Sequence, residues 1–112
     1  MIMAFPVENK EGFSVVMLNG EIDLGNSPDA RKVILNCLKK MKHVVVDLSA
    51  VDYIDSSGIA SLVEGFQYAR SNNLEFGLIG VSEAAMSVLK LARLDKVFEI
   101  HASLDERLKR GS

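Results

Sequence analysis

The sequence predicts an α/β fold, a mixed and mainly parallel β-sheet with an N-terminal hairpin and about four α-helices packed on it. Three observations predict it. Short β-rich runs alternate with segments of helical periodicity along the chain. One run, Val44-Val45-Val46-Asp47-Leu48, is almost continuously apolar, as a strand covered on both faces has to be. After a first hairpin the order strand, helix repeats to the end, which favours right-handed crossovers between parallel strands.

The elements follow in order. Phe13 to Leu18 is a strand between the turn signals Gly12 and Asn19-Gly20, and Phe5-Pro6-Val7-Glu8 pairs with it as a hairpin. Ser27-Pro28 supplies an N-cap followed by proline at the first helical position. Ala30, Val33, Ile34, Cys37, Leu38 and Met41 then repeat at helical spacing. The lysines that close this helix, Lys39, Lys40 and Lys42, suit the negative end of its dipole and read as a solvated last turn. His43 to Leu48 is the central strand. A helix with Ile59, Leu62, Val63 and Phe66 on one face runs to about Ser71, and Asn72-Asn73 is a left-handed stop. Glu75 to Gly80 is a short strand, Ser82 to about Leu91 a helix burying Ala85, Met86 and Leu89, and Val97 to His101 a final strand. Ser103-Leu104-Asp105-Glu106 has the capping-box form that opens a last short helix.

With 112 residues, 48% hydrophobic and 25% charged, the chain has the size and composition of one domain over residues 1–112. Its net charge of −2, with both signs interspersed, gives no positive field to gather nucleic acid or an anionic membrane. The single cysteine, Cys37, has no internal disulfide partner and sits at a core spacing, which fits a reducing compartment. No apolar run approaches the ~18 residues needed to cross a bilayer, so direct membrane insertion is not expected and a cytoplasmic location is.

Functional loops of a parallel sheet lie beyond the carboxyl ends of its strands. Two qualify: Gly20-Glu21-Ile22-Asp23, and Asp55-Ser56-Ser57-Gly58 at the start of a helix. Parallel strands would place both on one edge, bringing Asp23 and Glu21 towards Ser56. A helix start offers free N–H groups and the positive end of the macrodipole, which favour an attached phosphate. An ordinary Asp or Ser N-cap has the same composition, and on spacing alone that bland reading leads. Nucleophilic catalysis is weaker still. The G-x-S-x-G elbow is absent, because Ile54 and Asp55 stand where a close-packing glycine belongs. His43 opens the strand that leads to Ser56, about 16 Å or more away at ~3.3 Å per residue. His101 ends a strand, where a lone histidine is ordinarily structural. Neither phosphate-loop fingerprint is present, and one cysteine with two separated histidines cannot build a zinc site of familiar spacing. No cofactor or metal is implied. Glycine at 58 and the lack of a base point to a modified serine rather than an attacking one.

Gly20-Glu21-Ile22-Asp23, Val44 to Leu48, Tyr53-Ile54-Asp55-Ser56-Ser57-Gly58 and Leu91-Ala92-Arg93-Leu94-Asp95-Lys96-Val97-Phe98 resemble, in this order, the STAS domain of bacterial anti-sigma factor antagonists. The resemblance covers essentially the whole chain and reverses the preference for a mere cap at Ser56. It implies a STAS fold and a phosphorylation-controlled, partner-switching binding protein rather than an enzyme. The unphosphorylated form sequesters an anti-sigma factor that is also a serine kinase. That kinase modifies the first serine of the motif, Ser56 here, and a PP2C-type phosphatase reverses it. By the same resemblance Asp23 lies near the acceptor and contributes to kinase binding, alongside Asp55, Ser57 and Gly58. Ser57 reads as a cap or neighbouring contact. The helix after Ser57 is the leading partner surface, with Glu64, Gln67, Tyr68 and Arg70 outward and Tyr68 either interface or half-buried. One departure stands out: many antagonists carry a second glycine where this chain has Ala60. An alanine there resembles the alternative, the small STAS subunit of phospholipid-transporting ABC complexes, which binds and supports the ATPase.

Overall fold

The computed structural model describes residues 5–109. A five-stranded sheet is ordered β1-β2-β3-β4-β5, each strand beside its neighbour in sequence. The strands are β1 (Val7–Lys10), β2 (Phe13–Ile22), β3 (His43–Ile54), β4 (Phe76–Ile79) and β5 (Glu99–His101). β1 pairs antiparallel with β2, and the remaining pairs are parallel. The hairpin turns on Glu11 and Gly12, with φ of 54° and 85°, the doubly positive geometry that matches the twist of paired strands. The helices are α1 (Ser27–Lys39), α2 (Ser56–Ser71), α3 (Glu83–Leu91) and α4 (Leu104–Lys109).

Both faces of the sheet are covered, as the apolar run in β3 requires. Val16, Leu18, Val44, Val46, Leu48 and Leu78 meet Ile34 and Leu38 of α1, Leu62 and Ala69 of α2, and Leu89 of α3 in one cluster. Phe13, Val15, Val45 and Ile79 point the other way and pack with Leu104 and Leu108 of α4. Residues that alternate along β3 therefore serve different layers, and each fully buried aliphatic contributes about 1.5–3 kcal/mol. α4 brings one buried charge, Arg107, onto this second face. It pairs with Glu75 and with Glu99 at 3.1 Å, and its guanidinium lies 5.3 Å from the Phe13 ring centre.

The fold class is as the sequence predicts, but several boundaries move. β1 is Val7–Lys10 rather than Phe5 to Glu8, since Lys10 is the partner of Phe13 across the tight turn. β2 runs on to Ile22, past the turn signal at Asn19-Gly20, and β3 runs on to Ile54, past the expected end of the central strand at Leu48. Two register shifts, between Met17 and Asn19 and between Gly20 and Glu21, let them stay paired, and Gly20 takes φ of 72° at the second. α1 is preceded by Asn26, not Ser27, and it ends at Lys39. Met41, expected on its core face, takes φ of 62° and is 63% exposed. Asn73, with φ of 58°, is the left-handed residue after α2. Val97 follows a 3-10 turn (Leu94–Lys96) instead of starting β5. Lys39, Lys40 and Lys42 are all exposed, and Cys37 is half-buried against the main core. No helix among the described residues is long and apolar enough to cross a membrane.

Candidate functional site

β2 and β3 end side by side, with Ile22 opposite Ile54, so the two loops singled out in the sequence leave the same edge of the sheet. The Asp55 backbone N–H donates to the Ile22 carbonyl at 3.1 Å and ties them together. Of the first loop only Asp23 lies beyond the strand, because Gly20, Glu21 and Ile22 still belong to β2. Asp23 is half-buried in a tight turn. Its N–H donates to Asn26 Oδ1 at 2.9 Å, its Oδ1 accepts from Gly25 N–H at 3.0 Å, and its carbonyl accepts the N–H groups of Asn26 and Ser27 at 3.1 and 2.8 Å. Asn26 closes the turn by donating its amide to the Glu21 carbonyl at 2.7 Å.

The second loop is built on Asp55, the N-cap of α2. Its Oδ1 accepts from the Ser57 N–H at 2.9 Å, the Ser57 hydroxyl at 2.6 Å and the Gly58 N–H at 3.2 Å. The Ser57 hydroxyl foremost, with help from the N–H groups of Gly58, Ser57 and Leu24, holds the carboxyl below its ordinary 3.8 against an opposing pull from burial. Ser56, the first residue of α2, is exposed and has no hydrogen-bond partner among the described residues. The two serines are therefore unlike: one hydroxyl is consumed by the cap and the other faces solvent.

Gly58, expected as a partner contact, is buried. A Cβ there would lie 2.6 Å from Ile54 Cγ1 and 2.8 Å from Ile22 Cγ2, so its role is to seat the first turn of α2 against the ends of β2 and β3. Ser61, one turn further on, is also buried and donates to the carbonyls of Ser57 and Ser27 at 3.2 Å each. That bond joins the starts of α1 and α2. Deeper along the pair, Arg31 forks onto Glu64 with both N···O distances at 2.7 Å. Of the outward residues expected on α2, Gln67 and Arg70 are exposed, whereas Tyr68 is half-buried against the core. Ala60 is exposed.

Sequence reasoning passed over Asn26, Leu24 and Ser61. Asn26 carried a signal, since asparagine before a Ser-Pro helix start is a turn former. Leu24 and Ser61 carried none, because their roles depend on two loops meeting.

Neither histidine approaches Ser56. His43, at the opposite end of β3, accepts the Glu75 N–H on Nδ1 at 3.0 Å and stands 5.6 Å from the Phe13 ring. His101 lies between Glu99 at 3.3 Å and Glu106 at 3.6 Å. Among the described residues no group of three or more His, Cys, Asp or Glu side chains is placed to hold a metal. An open cavity of about 310 Å³ lies on the α4 face, over Met17, Asp47 and Ile79, and includes none of Asp23, Asp55 and Ser56.

Comparison with known proteins agrees with this fold. The STAS domain family model matches residues 4–107. The anti-sigma-B factor antagonist of Listeria monocytogenes is 27% identical over 86 residues, 76% of this chain and 75% of that protein. The crystal structure of an anti-sigma factor antagonist from Mycobacterium paratuberculosis is 30% identical, with a TM-score of 0.82 over 95% of this chain and 91% of that one. The Bacillus cell fate determinant SpoIIAA in its phosphorylated form shares the fold, with a TM-score of 0.74, 19% identity and coverage of 96% and 98%.

Proposed function

Because the chain belongs to the STAS domain family, we propose that it is an anti-sigma factor antagonist whose hold on its partner is set by phosphorylation of Ser56. The observation that carries this reading is the division between the two serines, with Ser57 held by Asp55 at 2.6 Å and Ser56 exposed at the first position of α2. The names of the Listeria and Mycobacterium relatives support the antagonist role.

The unphosphorylated chain binds an anti-sigma factor that is itself an ATP-dependent serine kinase. In that complex the partner's ATP gives its γ-phosphoryl group to Ser56 Oγ, the hydroxyl proton leaves, and ADP is released. A PP2C-type phosphatase restores the hydroxyl by hydrolysis. This chain supplies the acceptor and the surface around it, and acts as a substrate rather than an enzyme.

Phosphate adds roughly −1.5 to −2 charges at neutral pH. Within the domain, the dipole and free N–H groups of α2 offset part of the cost, so the fold survives modification. Across an interface the same charge has to be desolvated beside the Asp55 carboxylate, so it opposes binding. Asp23 and the exposed start of α2 complete the surface, and Gly58 acts from beneath by letting α2 sit low enough to present Ser56.

Affinity capture from the source cell with wild-type, Ser56→Ala and Ser56→Asp chains tests the reading. A kinase-fold anti-sigma factor retained by the first two and lost from the third is the expected result. An ABC transporter ATPase retained by all three would instead identify the chain as a transporter subunit.

A further inference from the structure

The turn that carries Asp23 and the turn that carries Ser56 are tied to each other at the strand ends and again at the helix starts. At the strand ends the Asp55 N–H donates to the Ile22 carbonyl at 3.1 Å. At the helix starts the Ser61 hydroxyl donates to the Ser27 carbonyl at 3.2 Å, and the Ser27 N–H donates to the Asp23 carbonyl at 2.8 Å. The Ser57 carbonyl also lies 3.2 Å from the Ser61 hydroxyl. A hydroxyl has one hydrogen, so Ser61 shares it between α1 and its own helix. Ser57 is bonded in turn to Asp55 through its N–H and hydroxyl, which closes a ring through Ile22, Asp23, Ser27, Ser61, Ser57 and Asp55.

Each turn keeps its own shape from local bonds, Asp23 with Gly25 and Asn26, and Asp55 with Ser57 and Gly58. Their placement relative to each other depends on what crosses between them. A seam pinned at one end can swing, and one pinned at both ends cannot. Ser61 is the polar pin at the helix end, and it is buried, where water does not compete for its bond. Nothing in the helix itself calls for a serine there. Alanine forms helices better and tolerates burial, and a helical serine ordinarily bonds back only to its own helix. The bond to Ser27 is what distinguishes this hydroxyl.

Resting on the reading of Ser56 as the switch, we propose that Ser61 is a positioning residue, whose shared hydroxyl holds the start of α1 to the start of α2 and thereby sets Asp23 against Ser56 for the partner. An anti-sigma factor that touches both turns meets them already placed and pays less ordering cost on binding. A contact made with one turn alone gains nothing from the bond.

The test compares wild type with Ser61→Ala, Asp23→Asn, the chain carrying both, Arg31→Gln and Ser56→Asp, by amide exchange and by titration with the purified anti-sigma factor that the Ser56→Ala chain retains. Ser61→Ala leaves no orphaned group, since the carbonyls of Ser27 and Ser57 lie in helices with N–H partners of their own, and thermal unfolding verifies that it folds. Asparagine at position 23 keeps an oxygen for the Gly25 N–H and removes only the charge. Protection of the Asp55 N–H, at the other end of the seam, should fall about 5-fold in Ser61→Ala. Partner affinity should fall about 3-fold or more when Asp23 is present and no further when Asp23→Asn has removed the charge being placed. A hydroxyl that merely stabilised the fold would cost the same in both backgrounds. Arg31→Gln breaks the exposed α1–α2 ion pair with Glu64 and should stay within about 2-fold of wild type. The assignment is overturned, with the switch intact, when Ser61→Ala keeps wild-type Asp55 protection or wild-type affinity while Ser56→Asp binds weakly. An equal loss in both Asp23 backgrounds, or one as large from Arg31→Gln, overturns it too. Equal affinity of wild-type and Ser56→Asp chains removes the switch reading and this assignment with it.

Discussion

The Asp55 carboxylate accepts the Ser57 hydroxyl at 2.6 Å, and this one bond separates two adjacent serines into a structural residue and an available one. Ser57 cannot present its oxygen to a phosphate donor without giving up the cap contact. Ser56 has no bond to a described residue to give up.

Phosphopeptide mapping after incubation with the partner kinase and ATP should therefore find the modification at Ser56. A Ser57→Ala chain keeps the phosphate and a Ser56→Ala chain loses it. Phosphate recovered on Ser57 from the wild-type protein contradicts the assignment.

Binding measurements should separate charge from the hydroxyl. Ser56→Ala is expected to bind the anti-sigma factor like the unmodified wild type but without control by the kinase, and Ser56→Asp to bind at least about 10-fold more weakly, as an uncompensated interfacial charge does. Equal affinities for all three forms would sink the electrostatic mechanism.

Gly58→Ala should destabilise the fold. The added methyl would stand 2.6 Å from Ile54 and 2.8 Å from Ile22, and overpacking of this kind costs about 1–3 kcal/mol. Chemical denaturation reads this directly, and a midpoint identical to wild type would show that α2 can lift without cost.

The Asp55 carboxyl lies below its ordinary 3.8, so the unfolded chain binds the proton more readily than the folded one. Its stabilising contribution is complete above that ordinary value and is lost as pH falls through the lower, folded value. Wild type should thus lose more stability than Asp55→Asn between about pH 5 and the acid limit, because asparagine still caps but does not titrate. Parallel acid unfolding curves for the two chains would remove the carboxylate from the account.

Much of the site was legible because it rests on local rules. An aspartate with a hydroxyl two residues later at the start of an apolar-periodic helix is a cap wherever it occurs, and the alternation of strands and helices places such caps on one edge. The misreadings share a cause. Asn19-Gly20 looks like a turn and the apolar run of the central strand stops at Leu48, yet β2 and β3 continue because bulges shift the register and bring Val51, Ile54 and Ile22 back to the core. A period-two pattern broken by a bulge has no signature in one strand alone. Gly58 was noted for its place in a motif, but its reason lies in Ile22, a residue far away in the chain.

The order of the strands has a consequence for how the molecule is made. Because each strand lies beside the one synthesised before it, the sheet can grow outward as the chain leaves the ribosome, with no strand waiting for a later one to be inserted between it and its neighbour. β2, β3 and α2, which hold Asp23, Asp55 and Ser56, all precede β4 and β5 in the chain. The proposed partner surface can therefore be assembled on a nascent chain, before the Arg107 clasp with Glu75 and Glu99 closes the far side of the sheet.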